Sequence, residues 1–250
     1  MKLPASFLTK PITHRALHDK TDGRPENSIE AITAAIDAGY GIEIDLQLSQ
    51  DGVPMVFHDY HLGRLTAETG PVAMRTAAEL GQIMLTGGAT GIPTFAEVLA
   101  LVNGRVPLLV EIKDQDHQMG ENVGLLQQVA ADALADYKGD VAIMSFNPHA
   151  VMAFGVAAPT IPRGIVTSDY TATDWPTIPA DVRDRLRDIP DYDRIGASFI
   201  SHEARDLGRD RVANLKAAGA NVLCWTIKSP EQEAEARKVA DNVTFEGYLA

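Results

Sequence analysis

Short apolar runs rich in Ile and Val alternate with amphipathic stretches along the whole 250-residue chain. The runs fall at residues 11–15, 41–46, 107–113, 141–146, 161–167, 194–199, 221–227 and 242–245, which predicts eight strands. Helix-like stretches occupy residues 28–38, 121–137, 148–154, 205–218 and 230–239. Ser28, and Ser229 with Pro230 behind it, read as helix starts. Gly39 and Gly219 stand where a glycine ends a helix. Apolar strands that alternate with helices and do not alternate in polarity themselves belong to a parallel sheet with both faces covered. Eight of them in a chain of about 250 residues favour a TIM (β/α)₈ barrel in one domain. The rival is an open, doubly wound sheet, but no GxGxxG follows the first strand. Residues 59–93 break the rhythm. They are Thr- and Gly-rich and weakly periodic, and read as a small insertion after the second strand that caps one end of the barrel.

A content of 45% hydrophobic residues is enough for a sizeable core, whereas the formal charge of -12 excludes the basic face that nucleic acid requires. A small phosphodiester substrate is compatible with that charge, because a bound cation and a few local Arg or Lys reverse the field inside a pocket. Cys224 is the only cysteine, so no disulfide forms within the chain, as a reducing compartment would have it. The start, MKLPASFLTKP, lacks the apolar stretch of a signal peptide. No run approaches the about 18 apolar residues of a spanning helix. The expectation is a cytoplasmic protein without membrane insertion. The oligomeric state has no signature here.

The chemistry concentrates on strand ends. In GIEIDLQL, alternation puts Glu43 and Asp45 on one face and Ile42, Ile44 and Leu46 on the other. PLLVEIK does the same with Glu111 and Lys113. Barrel enzymes build their sites at the C-terminal ends of strands. Three inward carboxylates there form an oxygen site suited to Mg²⁺ or Ca²⁺; salt-bridged or solvated acids are the plainer alternative. His14 closes the first apolar run and His58 follows VPMVF, and two histidines beside an acid cluster suit proton transfer. Arg15 and Lys113 are the cations placed to hold a phosphate. His18, His61, His117, His149 and His202 have no such context and receive no role.

An ordered set of motifs carries a resemblance. His14–Arg15 followed by Ala16, PENS at 25–28, EID at 43–45, DG at 51–52, HD at 58–59 and EIK at 111–113 stand in order. So do AEL at 78–80, IPTFAEVL at 92–99, SFNP at 145–148 and WTIK at 225–228. Together they resemble the glycerophosphodiester phosphodiesterase family over nearly the whole chain. The resemblance implies a TIM barrel with an insertion after the second strand. It implies a divalent metal, Mg²⁺ or Ca²⁺, on Glu43, Asp45 and Glu111, and His14 with His58 as the general acid/base pair. It also implies that Arg15 and Lys113 hold the phosphate, that Trp225 flanks the glycerol, and that the products are an alcohol and glycerol 3-phosphate. The chain departs from the family pattern in three places. Ala16 replaces the usual Gly, the segment between Arg15 and Pro25 is longer and carries His18, and Phe245-Glu246-Gly247 replaces the usual Asp with a nearby Pro. Alternative readings are a related phospholipase D-like barrel lyase that stops at a cyclic phosphate, a non-catalytic phosphate- or polyol-binding barrel, and a barrel aldolase or isomerase.

Overall fold

The computed structural model describes residues 2–250. In chain order the strands are β1 (Ile12–Thr13), β2 (Gly41–Leu48), β3 (Pro54–Val56), β4 (Leu108–Ile112), β5 (Val141–Ser145), β6 (Arg163–Thr167), β7 (Phe199–Glu203), β8 (Asn221–Ile227) and β9 (Asn242–Phe245). All but β3 pair in parallel around a ring that closes through β1, which hydrogen-bonds to both β2 and β9. The expected (β/α)₈ barrel is therefore present. β3, which carries VPMVF, lies outside the ring as an antiparallel partner of β2.

The helices are α1 (Ser6–Thr9), α2 (Ile29–Ala38), α3 (Ala77–Gln82), α4 (Phe95–Val102), α5 (Leu126–Leu134), α6 (Pro148–Ala157), α7 (Ala180–Arg187), α8 (Asp210–Ala217) and α9 (Pro230–Ala236). The caps fall where local chemistry puts them. The Ser28 hydroxyl accepts from Ala31 N–H at the start of α2, and Gly39 ends that helix in the left-handed region at φ 70°. Ser229 caps α9 in the same way through Gln232 N–H.

Two layers hold the barrel together. Ile42, Ile44 and Leu46 of β2 and Leu108, Val110 and Ile112 of β4 face outward and pack with α2, α4 and α5. Inside, Ile12, Leu109, Ala142, Phe199 and Leu223 fill the lower barrel, together with Leu3 and Phe7 from the N-terminal segment. α1 thus plugs the N-terminal mouth. It is held there by Asn242, whose side-chain amide donates to the carbonyls of Phe7 (2.7 Å) and Lys10 (2.6 Å). Gly164 of β6 makes room for the Phe199 ring, since a Cβ on Gly164 would lie 2.4 Å from it.

The strand expected at 194–199 lies five residues later, at Phe199–Glu203. Residues 191–197 instead form turns, with Gly196 at φ 62°. β7 ends in Ser201, His202 and Glu203, all buried, and their polarity masks the strand in a hydrophobicity pattern. His202 is satisfied structurally, with Nδ1 2.7 Å from the Thr167 hydroxyl and Nε2 near Asp206. Three helices are also shorter than their patterns: residues 121–125 are irregular before α5, a 3-10 turn at Ala204–Asp206 precedes α8, and α9 stops at Ala236. Residues 57–92 gather their own apolar cluster around Phe57, Leu62, Leu65, Val72, Leu80, Leu85 and Ile92.

Phe7 is fully buried at the base of the barrel, on a four-residue helix with no other deep anchor. Phe7→Ala is expected to destabilise the protein by about 3–5 kcal/mol, through lost transfer energy and the cavity left behind. Denaturant unfolding measures it, and a loss below about 1 kcal/mol would mean that α1 does not close the barrel.

Candidate active site

The acids meet where alternation sends them. In the β2–β4 register Asp45 pairs with Glu111 at the C-terminal mouth, and Glu43 pairs with Leu109 one inward step lower. Carboxylate oxygens of Glu43, Asp45 and Glu111 all lie within 4.8 Å of one another, and all three residues are buried. Lys113 Nζ sits between two of them, 2.7 Å from Asp45 Oδ1 and 2.7 Å from Glu111 Oε1. Arg15 Nε is 3.7 Å from Asp45 Oδ2. Glu43 has no side-chain cation; it accepts the backbone N–H of Arg15 at 2.8 Å.

That N–H is aimed by an unusual backbone. Arg15 (φ 52°) and Ala16 (φ 65°) are both left-handed, and the turn they make also brings Ala16 N–H onto Glu43 O at 3.0 Å. A residue without a Cβ adopts this conformation more easily, so Ala16 stands where glycine would relieve strain.

The charges do not balance. Burial, and then the neighbouring Asp45 and Glu111, push the Glu43 carboxyl well above the usual range. Burial also works to raise Asp45, but Lys113, His58 and Arg15 outweigh it and hold that carboxyl well below its usual value. Lys113 is raised, because Asp45 and Glu111 overcome the cost of burying its ammonium. A divalent cation would supply the positive charge that Glu43 lacks, and an all-carboxylate donor set is one that Mg²⁺ and Ca²⁺ accept. The residues present therefore fit such an ion.

Both histidines border the same cleft of about 60 Å³ as the three acids, and each has its Nδ1 on a carboxylate. His14 Nδ1 lies 2.6 Å from Glu246 Oε2, and His58 Nδ1 lies 2.6 Å from Asp59 Oδ1. Burial pushes His14 below its usual value, against the Glu246 hydrogen bond that raises it. The Trp225 ring forms a wall, edge-on to Phe146 at 5.5 Å, with its indole N–H donated to Ser201 O. All eight residues named as site candidates thus come together. A larger groove, about 670 Å³, lies between the segment after β7 and α9 and shares only Trp225 with this cleft.

Four further residues hold the arrangement and received no role from the sequence. Asn27 donates to Asp45 Oδ2 at 2.9 Å, and Glu26 accepts from Arg15 at 2.9 Å. Arg64, from the insertion, grips Glu26 at 2.7 and 2.8 Å and Asp59 at 2.6 and 2.8 Å. It thereby links the partner of Arg15 to the partner of His58. Glu246 is the fourth. PENS and HD mark Glu26, Asn27 and Asp59 in the sequence, and Glu246 stands in a departure from the family pattern, but nothing local marks Arg64. Cys224 takes no part, since burial pushes its thiol up to about 12.

Known proteins resemble this chain in sequence and in fold. The family model for the glycerophosphoryl diester phosphodiesterase family matches residues 14–242. A glycerophosphodiester phosphodiesterase of Bacillus altitudinis is 30% identical over 172 residues, covering 65% of this chain and 68% of the relative. Among solved structures, a phosphodiesterase of Oleispira antarctica in complex with the product sn-glycerol-3-phosphate superposes with a TM-score of 0.77. It is 24% identical and covers 96% of this chain and 94% of its own. A glycerophosphodiester phosphodiesterase of Thermotoga maritima gives a TM-score of 0.69 at 21% identity, with 94% and 92% covered.

The surplus charge on Glu43 sets a measurable trade between stability and metal. Its raised folded value means that its contribution is favourable below its ordinary range and is lost as pH rises through the folded value. Glu43→Gln is therefore expected to stabilise the metal-free protein at neutral pH by about 0.5–2 kcal/mol. It should also abolish the rise in melting temperature that Mg²⁺ or Ca²⁺ gives the wild type. Thermal unfolding with and without metal decides this; a variant that melts below metal-free wild type would show that Glu43 carries no surplus charge.

Proposed function

The chain belongs to the glycerophosphoryl diester phosphodiesterase family, and we propose that it hydrolyses glycerophosphodiesters to an alcohol and glycerol 3-phosphate with a divalent cation, Mg²⁺ or Ca²⁺, on Glu43, Asp45 and Glu111. One observation carries this reading. Two histidines, each oriented through Nδ1 by a carboxylate, flank one carboxylate cluster in one cleft. With Nδ1 engaged, each Nε2 is left for substrate. When bound, the cation neutralises charge on the phosphoryl oxygens and acts as a Lewis acid.

The chain's own groups divide the remaining work. Arg15 and Lys113 hold the phosphate, and Trp225 lies against the glycerol. His14, kept neutral by burial, takes the proton of the attacking hydroxyl at Nε2. His58, set on the Asp59 carboxylate, returns a proton to the departing alkoxide. The attacking group is the glycerol hydroxyl beside the ester. Held next to phosphorus it has an effective molarity that can reach about 10⁵ M or more, and water then opens the cyclic ester. Glu246 and Arg64 position the two histidines without touching substrate. Among the described residues no helix is long and apolar enough to cross a membrane. A cytoplasmic location accords with the lone cysteine.

His14→Ala and His58→Ala are each expected to lower turnover by about 10²- to 10⁴-fold, and His149→Ala to leave it unchanged. Near-wild-type turnover in either of the first two would remove that histidine from the reaction.

The acid limb of kcat/KM belongs to His14 and lies below pH about 6.5, the ordinary value for imidazole. Glu246→Gln removes a hydrogen bond that raises His14, so the limb should move to lower pH while kcat falls. A limb that stays put would show that Glu246 does not act through His14.

Phosphorus NMR follows the products. Glycerol phosphate should accumulate with at most a transient cyclic ester, and a diester lacking the neighbouring hydroxyl should be cleaved poorly. Persistent cyclic phosphate would reassign the protein as a lyase, and no cleavage at all would leave a binding barrel.

A further inference from the structure

A second group of side chains able to bind metal lies beside the first, and two of its three members, His18 and Glu246, come from places where this chain departs from the family pattern. His14 ends the β1 run, His18 comes from the long segment before Pro25, and Glu246 follows β9. One donor atom from each lies within 4.8 Å of the other two. Glu246 Oε2 is 2.6 Å from His14 Nδ1 and 3.4 Å from His18 Nε2. The loop that carries His18 is pinned at its base, where Asp19 and Arg24 pair through both backbone hydrogen bonds, at 2.7 and 2.9 Å. A separate groove of about 480 Å³, lined in part by His18 and Glu246, leads to the cluster from solvent.

The donor set differs in kind from the carboxylate cluster. Two imidazole nitrogens and one carboxylate oxygen suit a transition-metal ion such as Zn²⁺ better than Mg²⁺ or Ca²⁺. Bonds of about 2.0–2.2 Å in a tetrahedron put donor atoms about 3.4 Å apart. The present spacings reach that with small side-chain rotations, once metal replaces the shared proton. Lys228 meets the other oxygen of Glu246, Oε1, at 2.8 Å, and its side chain is 63% exposed, so Oε2 is left for an ion.

We propose that His14, His18 and Glu246 form an inhibitory Zn²⁺ site that withdraws His14 from turnover. On coordination, the Nδ1 lone pair of His14 goes to the metal. The ring proton leaves Nδ1 and is retained at Nε2, so the imidazole stays neutral and no proton is lost overall. Nε2 then carries hydrogen and has no lone pair with which to accept the proton of the attacking hydroxyl. Binding of zinc rests on the cluster alone; inhibition also rests on His14 serving as base in the proposed reaction. The two parts fail in different ways.

Calorimetric titration of Zn²⁺ into the protein in excess Mg²⁺, paired with steady-state turnover, tests both. Wild type should bind one zinc tightly and lose turnover. Glu43→Gln, which removes a carboxylate from the first cluster, should still bind it. His18→Ala and His18→Gln should keep turnover in Mg²⁺, weaken zinc by about tenfold or more and resist inhibition. Lys228→Gln, which removes a competing cation, should bind zinc at least as tightly as wild type. Equal zinc affinity in wild type and both His18 variants overturns the site, as does loss of zinc binding in Glu43→Gln. Tight, His18-dependent zinc with undiminished turnover keeps the site but overturns its inhibitory role, and with it the assignment of His14 as base.

Discussion

Three carboxylates share the mouth of a barrel with too little positive charge, and much of the surrounding structure follows from that. Lys113 reaches two of them and Arg15 approaches one, while Glu43 must make do with a backbone N–H. Buried acids this close cannot all ionise unless a further cation joins them. A protein selected only for stability would place Val or Leu at these positions, as this one does at Leu109 and Leu223. The strain is tolerated because the lower barrel, plugged by Phe7 and Leu3, supplies apolar burial that the upper barrel gives up.

The shell around the acids is continuous. Asn27 holds Asp45, and Glu26 holds Arg15. Arg64 holds Glu26 and Asp59, and Asp59 holds His58. The chain therefore passes from one side of the cleft to the other through charge-assisted hydrogen bonds, which are short and directional. Its closing link is an arginine in the segment that interrupts the strand–helix rhythm. An insertion that reads as a break in the fold is thus tied directly to the residues of the cleft. On the opposite wall Glu246 does for His14 what Asp59 does for His58, but from the far end of the chain.

Alternation and capping are local, and these parts were legible. Glu43 and Asp45 share a face with each other and not with Ile42 because side chains alternate along a strand. Ser28 and Gly39 bound α2 because a hydroxyl and a left-handed glycine satisfy the ends of a helix wherever it lies. Legibility failed at β7, whose buried face carries Ser201, His202 and Glu203. A pattern method sees hydrophobicity, but burial there is made tolerable by partners such as Thr167 and Asp206 on other segments. VPMVF, an apolar run apart from the eight expected strands, supplies β3 as an antiparallel partner of β2 outside the ring.

The sequence by itself determined the barrel, the face on which the acids stand and the two histidines that accompany them, because each depends on periodicity or on residue type at a strand end. It carried no sign that Arg64 would join Glu26 to Asp59, or that Glu246 would sit 2.6 Å from His14 across 232 residues of chain. Such pairings have no local signature. The second exists only because ring closure brings β9 beside β1, so the orientation of His14 was decided by the tertiary structure.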